Sequence, residues 1–495
     1  MQRKGRTALL TAAMAIAVAS TPALASSPKD IDITTWVKSA LRHDPHVDPA
    51  GIKIQVRKGV VTLTGGVSNL TAKKFALGEA KKINGVVGVI DELYVKTRYR
   101  PDSDIVQDVR HRIVDNAMIE SSSIVTVCED GVVTLTGDVD SWAEKQEAGV
   151  IAGEVTGVKK VVNDLSIIYT GTRSDQELKK DAEARLDTDV YLNGLPIKIE
   201  VENGVVTLTG SVGSQFEMDR AERKLRYMAE VRDVKNNLTV KFWEKGGTRV
   251  KASKPPTDRE LKKDVKRALE VDSRVDASKI DVDASYGNVI LNGTVPYSYE
   301  ARVAEQDARD TIGTAWVTDH LTVAGAVRDD FEIRSDILSN FDSDYSLGGM
   351  DITVRVNKGA VTLDGYVNTN WEKQHARDVA RRIRGVKKVK NHIKVERDQY
   401  SDIALANEVR KRLDHNWITS PVHKDIIVSV DGGVATLAGD VDTWSERAEA
   451  ARVTLGTEGV WSVVNRMTVL GVEYPWDEWV DEVTVVEPYW WVWPR

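Results

Sequence analysis

The pattern L-x-G-x-V recurs six times, and its spacing limits the fold more than any other feature of the chain. It stands at Leu63 to Val67, Leu135 to Val139, Leu208 to Val212, Leu291 to Val295, Leu363 to Val367 and Leu437 to Val441. The anchoring glycines Gly65, Gly137, Gly210, Gly293, Gly365 and Gly439 lie 72, 73, 83, 72 and 74 residues apart. A fixed period over this length marks one small unit copied in tandem. What must be explained is one unit of roughly 70 residues, a size that folds alone only marginally.

Every unit reads alike. It opens on a helical pattern, with Ile33, Trp36, Val37, Ala40 and Leu41 on one face in the first copy. Ser174 with Glu177 and Thr257 with Glu260 mark two of these helix starts as capping boxes. An alternating run follows, such as Ile52, Ile54 and Val56, then a tight turn such as Glu202-Asn203-Gly204. A V-x-L strand ends at the anchoring glycine. Eleven residues beyond that glycine the residue is always alanine: Ala76, Ala148, Ala221, Ala304, Ala376 and Ala450. A small residue there lets a second helix lie close on a sheet. A third strand, such as Leu93 and Val95, closes the unit. The order predicts an α+β fold of tandem α-β-β-α-β units, with two helices on one face of a three-stranded mixed sheet. The six glycines are read as structural, since they end strands where the backbone needs positive φ or close approach.

The ends of the chain break the repeat. Residues 1–25 carry Arg3, Lys4 and Arg6, an apolar run from Ala8 to Val18, and the small residues Ala23 and Ala25. This predicts a cleaved signal peptide and export to the periplasm. The whole chain has formal charge −7, and the basic leader holds three positive charges, so the remainder stands at −10. That balance argues against nucleic-acid binding. The predicted organisation is a signal peptide at 1–25, units at 29–97, 101–169 and 173–241, a hinge linker at 242–256, units at 257–325, 328–396 and 400–470, and a tail at 471–495. The chain thus reads as three units, a hinge and three more.

No residue set carries an enzyme. The histidines are scattered, and there is no H-E-x-x-H, no cysteine pair and no phosphate loop. The Asp187/Asp189 and Asp342/Asp344 pairs read as solvated turns. Cys128 aligns with Val56, Val201 and Val356, so it reads as a small strand residue facing the core. No catalytic, metal or cofactor residue and no small-molecule substrate is expected.

Two places stand out as binding surfaces. In unit 5, Lys373, Arg377, Arg381 and Arg384 form a stripe on the second helix, beginning beside Trp371 and extended by Lys387, Lys388, Lys390 and Lys394. One reading is a dock for anionic lipid headgroups; the other is a charged solvated helix face. The tail holds Trp476, Trp479, Trp490, Trp491 and Trp493 among six acids. It either caps the last unit or binds a basic or aromatic partner groove. Trp142, Phe216, Tyr299, Trp371 and Trp444 recur shortly after the anchoring glycine, where they staple the second helix to the sheet or meet a membrane interface.

The pattern G-x-V-x-L-x-G-x-V, the downstream alanine and the closing G-V-x-x-V-x-N-x-L-x-V resemble the BON domain family, over residues 29 to 470. Departures are Gly287-Asn288-Val289-Ile290 in unit 4, Ala229-Glu230 in place of a glycine in unit 3, and Ala435 in unit 6. The resemblance implies a non-enzymatic periplasmic protein of osmotic or envelope stress. Such a protein binds phospholipid or other envelope proteins, with six weak contacts adding by avidity. The alternative is a periplasmic chaperone or scaffold for exported clients.

Overall fold

The computed structural model describes residues 28–42, 44, 47–119, 123–168, 171, 173–241, 256–325, 328–395, 401–460 and 462–471. The signal segment, the linker apart from Pro256, and the tail tryptophans Trp476, Trp479, Trp490, Trp491 and Trp493 lie outside them.

Unit 1 shows the pattern shared by all six. Its first helix is Asp30–Arg42, its hairpin Ile52–Arg57 and Val60–Val67, its second helix Leu70–Lys81 and its third strand Gly88–Val95. The second strand is central, antiparallel to the first and parallel to the third. Ile33, Val37 and Leu41 from the first helix meet Val61 and Leu63 from the sheet and Ala76 and Ala80 from the second helix, all buried. In unit 5 the third strand is interrupted, as Lys388–Asn391 and Lys394–Val395.

The recurring glycine has a steric cause. Gly65 takes φ +118°, and a Cβ there would sit 2.0 Å from the carbonyl oxygen of Gly51. The same carbonyl approach recurs at Gly137, Gly210, Gly293, Gly365 and Gly439, where the gap is 1.9 to 2.2 Å. In unit 3 the left-handed position before the third strand is held by Glu230 (φ +69°), where unit 1 has Gly85 (φ +88°). Its carboxylate accepts from the Arg173 backbone N–H at 2.7 Å. The departure keeps the fold by adding a local bond against the strain of a non-glycine residue.

A second device is also repeated. The first residue of each first helix is an aspartate whose carboxylate accepts both backbone N–H groups of the hairpin turn. Asp30 accepts from Lys58 and Gly59 at 2.8 and 2.9 Å, and Asp330 from Lys358 and Gly359 at 2.7 and 2.8 Å. Asp102, Asp175, Asp258 and Asp402 do the same. These bonds from the turn hold the carboxyls of Asp30 and Asp330 below the usual range. Cys128 packs half-buried against the unit 2 core and donates to Asp102 at 3.2 Å. Burial, then the Asp102 carboxylate, pushes its thiol up to about 11.

The units are not strung in sequence order. They pair as 1 with 6, 2 with 5 and 3 with 4. In units 2 to 6 the stretch after the first helix makes a single antiparallel bridge to the stretch after the partner's second helix. Units 2 and 5 bridge at Asn116 with Ile383 and at Val155 with Asp344. Units 3 and 4 bridge at Asp189 with Thr311 and at Met228 with Asp272, and units 1 and 6 at Ile83 with Asn416. The Ala117 N–H donates to the Arg382 carbonyl at 2.7 Å, and the Arg384 N–H to that of Asp115 at 2.9 Å. The reciprocal bridges relate units 2 and 5, and units 3 and 4, by local two-fold axes. The second helices touch across the pairs, and units 3 and 6 share one apolar core.

Candidate functional site

The pairing decides where the predicted basic stripe of unit 5 lies. Its second helix, Asn370–Arg382, is capped by the Thr369 and Glu372 box, so its register is fixed from the start. The next turns then run into neighbouring units. Trp371 stacks on His375 at 4.5 Å and meets Phe75 of unit 1 edge-on at 5.7 Å. Arg377 is 5% exposed, and its Nε and Nη2 face no acceptor among the described residues. Burial, then Arg377 itself, pulls the Arg381 guanidinium down from its ordinary value. Arg384 donates through Nε to the Val114 carbonyl of unit 2 at 3.1 Å and through Nη2 to that of Ile119. Lys373 is half-buried, and its carbonyl accepts from Asn391 at 2.7 Å.

The stripe is therefore neither an open dock nor a solvated face at Arg377, Arg381 and Arg384. It is part of a junction, because the assembly uses that helix face for packing. Of the aromatics near the helix starts, Phe216, Trp444 and Tyr299 pack on the cores of their own units, as the stapling reading expects, and some also reach a neighbour. Phe216 packs on Trp417 of unit 6 at 5.5 Å, and Trp142 meets Tyr227 of unit 3 at 4.9 Å.

The aspartates read as solvated turns divide. Asp187 and Asp342 are exposed, whereas Asp189 and Asp344 are buried at the bridges. Each junction is an ion-pair cluster. Between units 2 and 5, Arg112 pairs with Glu154 at 2.7 Å and with Asp344 at 3.3 Å, and Arg382 pairs with Glu154 at 3.2 Å. His375 Nε2 lies 2.9 Å from Asp344. Against the effect of burial, Asp344 raises the His375 pKa, while His375 and Arg112 hold Asp344 well below the carboxylate range. Glu154, Asp344 and His375 lie close enough to share a cation. The Arg112 and Arg382 guanidiniums already serve as the cations there, so the set reads as a salt-bridge cluster.

Between units 3 and 4, Arg220 forks onto Asp189 at 2.8 and 2.6 Å and also meets Asp310. Between units 1 and 6, Glu79 meets Lys82 and Arg412. Burial favours its neutral form, but Lys82, Arg412 and Arg452 hold its carboxyl down to about 2. The reading of the sequence missed these residues. One available signal was an Asp or Asn just after every first helix: Asp44, Asn116, Asp189, Asp272, Asp344 and Asn416.

Positive charge is accessible elsewhere on unit 5, on the outer face of its sheet. Lys388 and Lys390 are exposed on either side of buried Val389. The register places Lys388 beside Ala360, Lys390 beside Thr362 and Lys394 beside Tyr366. Across the sheet Arg355 pairs with Thr362 in register, and its side chain is 65% exposed although it also meets Asp364. Lys394 Nζ sits 6.0 Å from the centre of the half-exposed Tyr366 ring. The result is a flat, basic, solvent-facing surface with one aromatic. Lys388 belongs to it, and Lys387 is half-buried at its edge. The equivalent outward first-strand residues are Glu200 and Glu202 in unit 3, Asp281 and Asp283 in unit 4, Val125 and Val127 in unit 2, and Ile427 and Ser429 in unit 6. Unit 1 is basic there too, with Lys53 and Arg57, but its third strand has Gly88, Ile90 and Tyr94 where unit 5 has Lys388, Lys390 and Lys394, so the three-lysine strand belongs to unit 5 alone.

The BON domain model matches residues 29–97, 101–169, 174–241, 257–325, 329–397 and 401–471. The chain belongs to the BON domain family. Osmotically-inducible protein Y of Escherichia coli (strain K12) is 32% identical over 198 residues, spanning 38% of this BON protein and 98% of that one. Outer membrane lipoprotein DolP of Haemophilus influenzae is 27% identical over 157 residues, spanning 30% of this chain and 81% of its own. The C-terminal domain of CdsD, a structural protein of the type III secretion system of Chlamydia trachomatis, covers 43% of this chain and all of its own at 17% identity, with a TM-score of 0.12. Among the described residues, no helix of this BON protein is long and apolar enough to cross a membrane.

Proposed function

We propose that this BON protein is exported to the envelope and acts there as a binding protein, not an enzyme, under osmotic or envelope stress. It lays the outer sheet face of unit 5 on anionic phospholipid. The observation that carries the reading is the exposed cluster of Lys388, Lys390, Lys394 and Arg355 around Tyr366, in a chain that is otherwise acidic. The names of an osmotically inducible protein and an outer membrane lipoprotein among its relatives support the setting.

Each lysine held at an anionic surface contributes about 1 kcal/mol, so four basic groups reach roughly millimolar affinity. Such binding falls steeply with salt. Tyr366 adds an amphipathic ring suited to the headgroup layer. The test is co-sedimentation with phosphatidylglycerol-containing vesicles at low and high salt. The native chain is expected to sediment at low salt only, and the Lys388→Glu, Lys390→Glu, Lys394→Glu variant not at all. Equal sedimentation of both at low salt would discard the assignment to this face.

One observation favours the client-holding alternative. Val125 and Val127 stand 52% and 57% exposed on the edge strand of unit 2. An apolar strand edge accepts another extended chain. Suppression of client aggregation that is lost on Val125→Glu and Val127→Glu, with no vesicle binding, would favour that reading.

A further inference from the structure

When two identical units pair about a two-fold axis, residues at equivalent positions near the axis meet their own kind. This chain does not leave them identical. Counted from the anchoring glycine, Glu154 of unit 2 and Arg382 of unit 5 occupy the same position, and they pair across the axis at 3.2 Å. Lys224 of unit 3 and Asp307 of unit 4 are likewise equivalent and lie 3.4 Å apart.

The last turn of the first helix follows the same rule. Its equivalent positions hold Arg112 opposite Asn340, Arg185 opposite Ala268 and Arg412 opposite Ala40. Arginine never faces arginine. At the 3/4 junction Arg185 Nη1 donates to the Ala268 carbonyl itself at 2.9 Å, filling the space that a second arginine would need.

The alternatives are penalised by these same residues. A pair of two unit 2 copies would set Glu154 against Glu154 and Arg112 against Arg112. Two unit 3 copies would oppose Lys224 with Lys224 and Arg185 with Arg185. Two unit 4 copies would oppose Asp307 with Asp307, and two unit 5 copies Arg382 with Arg382. These positions are buried, where like charges are costly and a partner of opposite charge is required.

We propose that these junction residues are a pairing code. They make residues 29–241 the binding partner of residues 257–471, in the same chain or in a second copy of it, and make each half unfit to pair with itself. The partner is thus defined by its chemistry: an arginine slot facing a short residue at all three junctions, and an acid facing a base at the 2/5 and 3/4 junctions.

The test starts from the intact folded chain carrying a protease site within residues 242–255. Two versions with differently tagged N-terminal halves are cut and mixed, then exchanged through mild urea. Pull-down on one tag is expected to recover the C-terminal half in equal amount and none of the other N-terminal half. The cut complex is expected to elute with the uncut chain at about 1 µM, a tightness in the ordinary range for partners of this kind. Glu154→Gln should weaken it at least tenfold, and Glu154→Arg, which sets like charges together, at least tenfold further. Lys224→Asp at the 3/4 junction gives a second reading of the same effect should the Glu154 variants not fold. Recovery of the other N-terminal half, separation of the native halves at 1 µM, or Gln and Arg variants that weaken the complex equally would overturn the code.

Discussion

Unit 5 carries two basic faces, and they do opposite work. Along its second helix Arg377 is buried and Arg382 is held by the Glu154 carboxylate of unit 2, and just beyond the helix Arg384 is held by the Val114 carbonyl of that unit. On the outer face of its sheet Lys388, Lys390 and Lys394 stand in water beside Tyr366. In the sequence the helix looks the better dock, because its charges fall on one stripe. In the assembly the sheet is the face left open. A charged stripe beside a buried alanine row marks an interface as readily as a solvated face, and the partner units decide which.

Arg382 is the side chain on which the closed helix face depends most. Replacing it with alanine strips Glu154 of one of its two guanidiniums and Glu147 of its ion pair in a buried cluster. The expected loss is about 4 kcal/mol in a denaturant titration, in line with removing one partner of a buried pair. A loss under about 1 kcal/mol would mean that water reaches the junction and that the helix face is less closed than its burial indicates.

Acid tests the junctions by a different route. Glu79 is held down to about 2 from an ordinary value of 4.5 by Lys82, Arg412 and Arg452, against the effect of burial. A carboxylate with a depressed folded pKa contributes stability that is complete above pH 4.5. That stability is lost as pH falls from 4.5 toward 2, about 3 kcal/mol for a shift of this size. The 1/6 junction should therefore open on acidification before the unit cores unfold, read as faster exchange of the Asn84 and Trp417 amides, which donate across it. Glu79→Gln should flatten the stability profile in that window.

How far the sequence leads depends on the range of the interaction. The unit was legible from L-x-G-x-V because its cause lies inside one unit: Gly65 has no room for a Cβ against Gly51. The Asp30 clamp was equally present in all six copies, yet an acid at a helix start is also what a capping preference produces, so the pattern did not declare the long-range bond. The pairing was illegible for the opposite reason. Its residues differ between copies because each must fit a different partner, and a search for repetition passes over positions such as Glu154 and Arg382. Oppositely charged residues in the same register column were the available sign. The lysines of the basic sheet face, Lys388, Lys390 and Lys394, were legible as a positive run, but the run was attached to the helix that precedes it in the chain.

Arg377 offers a smaller effect of the opposite sign. Its buried guanidinium has Nε and Nη2 without acceptors among the described residues, and it lies near Arg381. Arg377→Met keeps most of the packing volume and removes the desolvated charge, so a gain of about 1 kcal/mol is expected in thermal or denaturant unfolding. A loss would show that the guanidinium has found a partner, such as bound water or an anion. Reversing charge at Arg377 also cannot serve as a clean assay of lipid binding, since it alters the junction first.

The smallest effect on stability belongs to the open face, which is what makes it a clean probe. Lys388, Lys390 and Lys394 sit on the solvent side of the sheet, and single replacements by alanine should each change stability by less than about 0.5 kcal/mol. Each should also lower vesicle affinity by roughly fivefold, the equivalent of one headgroup contact near 1 kcal/mol. The same replacement at Lys373, on the half-buried helix face of the same unit, should leave vesicle affinity unchanged while costing more stability than any of the three. If the order is reversed, so that Lys373 governs binding and the sheet lysines do not, the helix face must be reachable in solution.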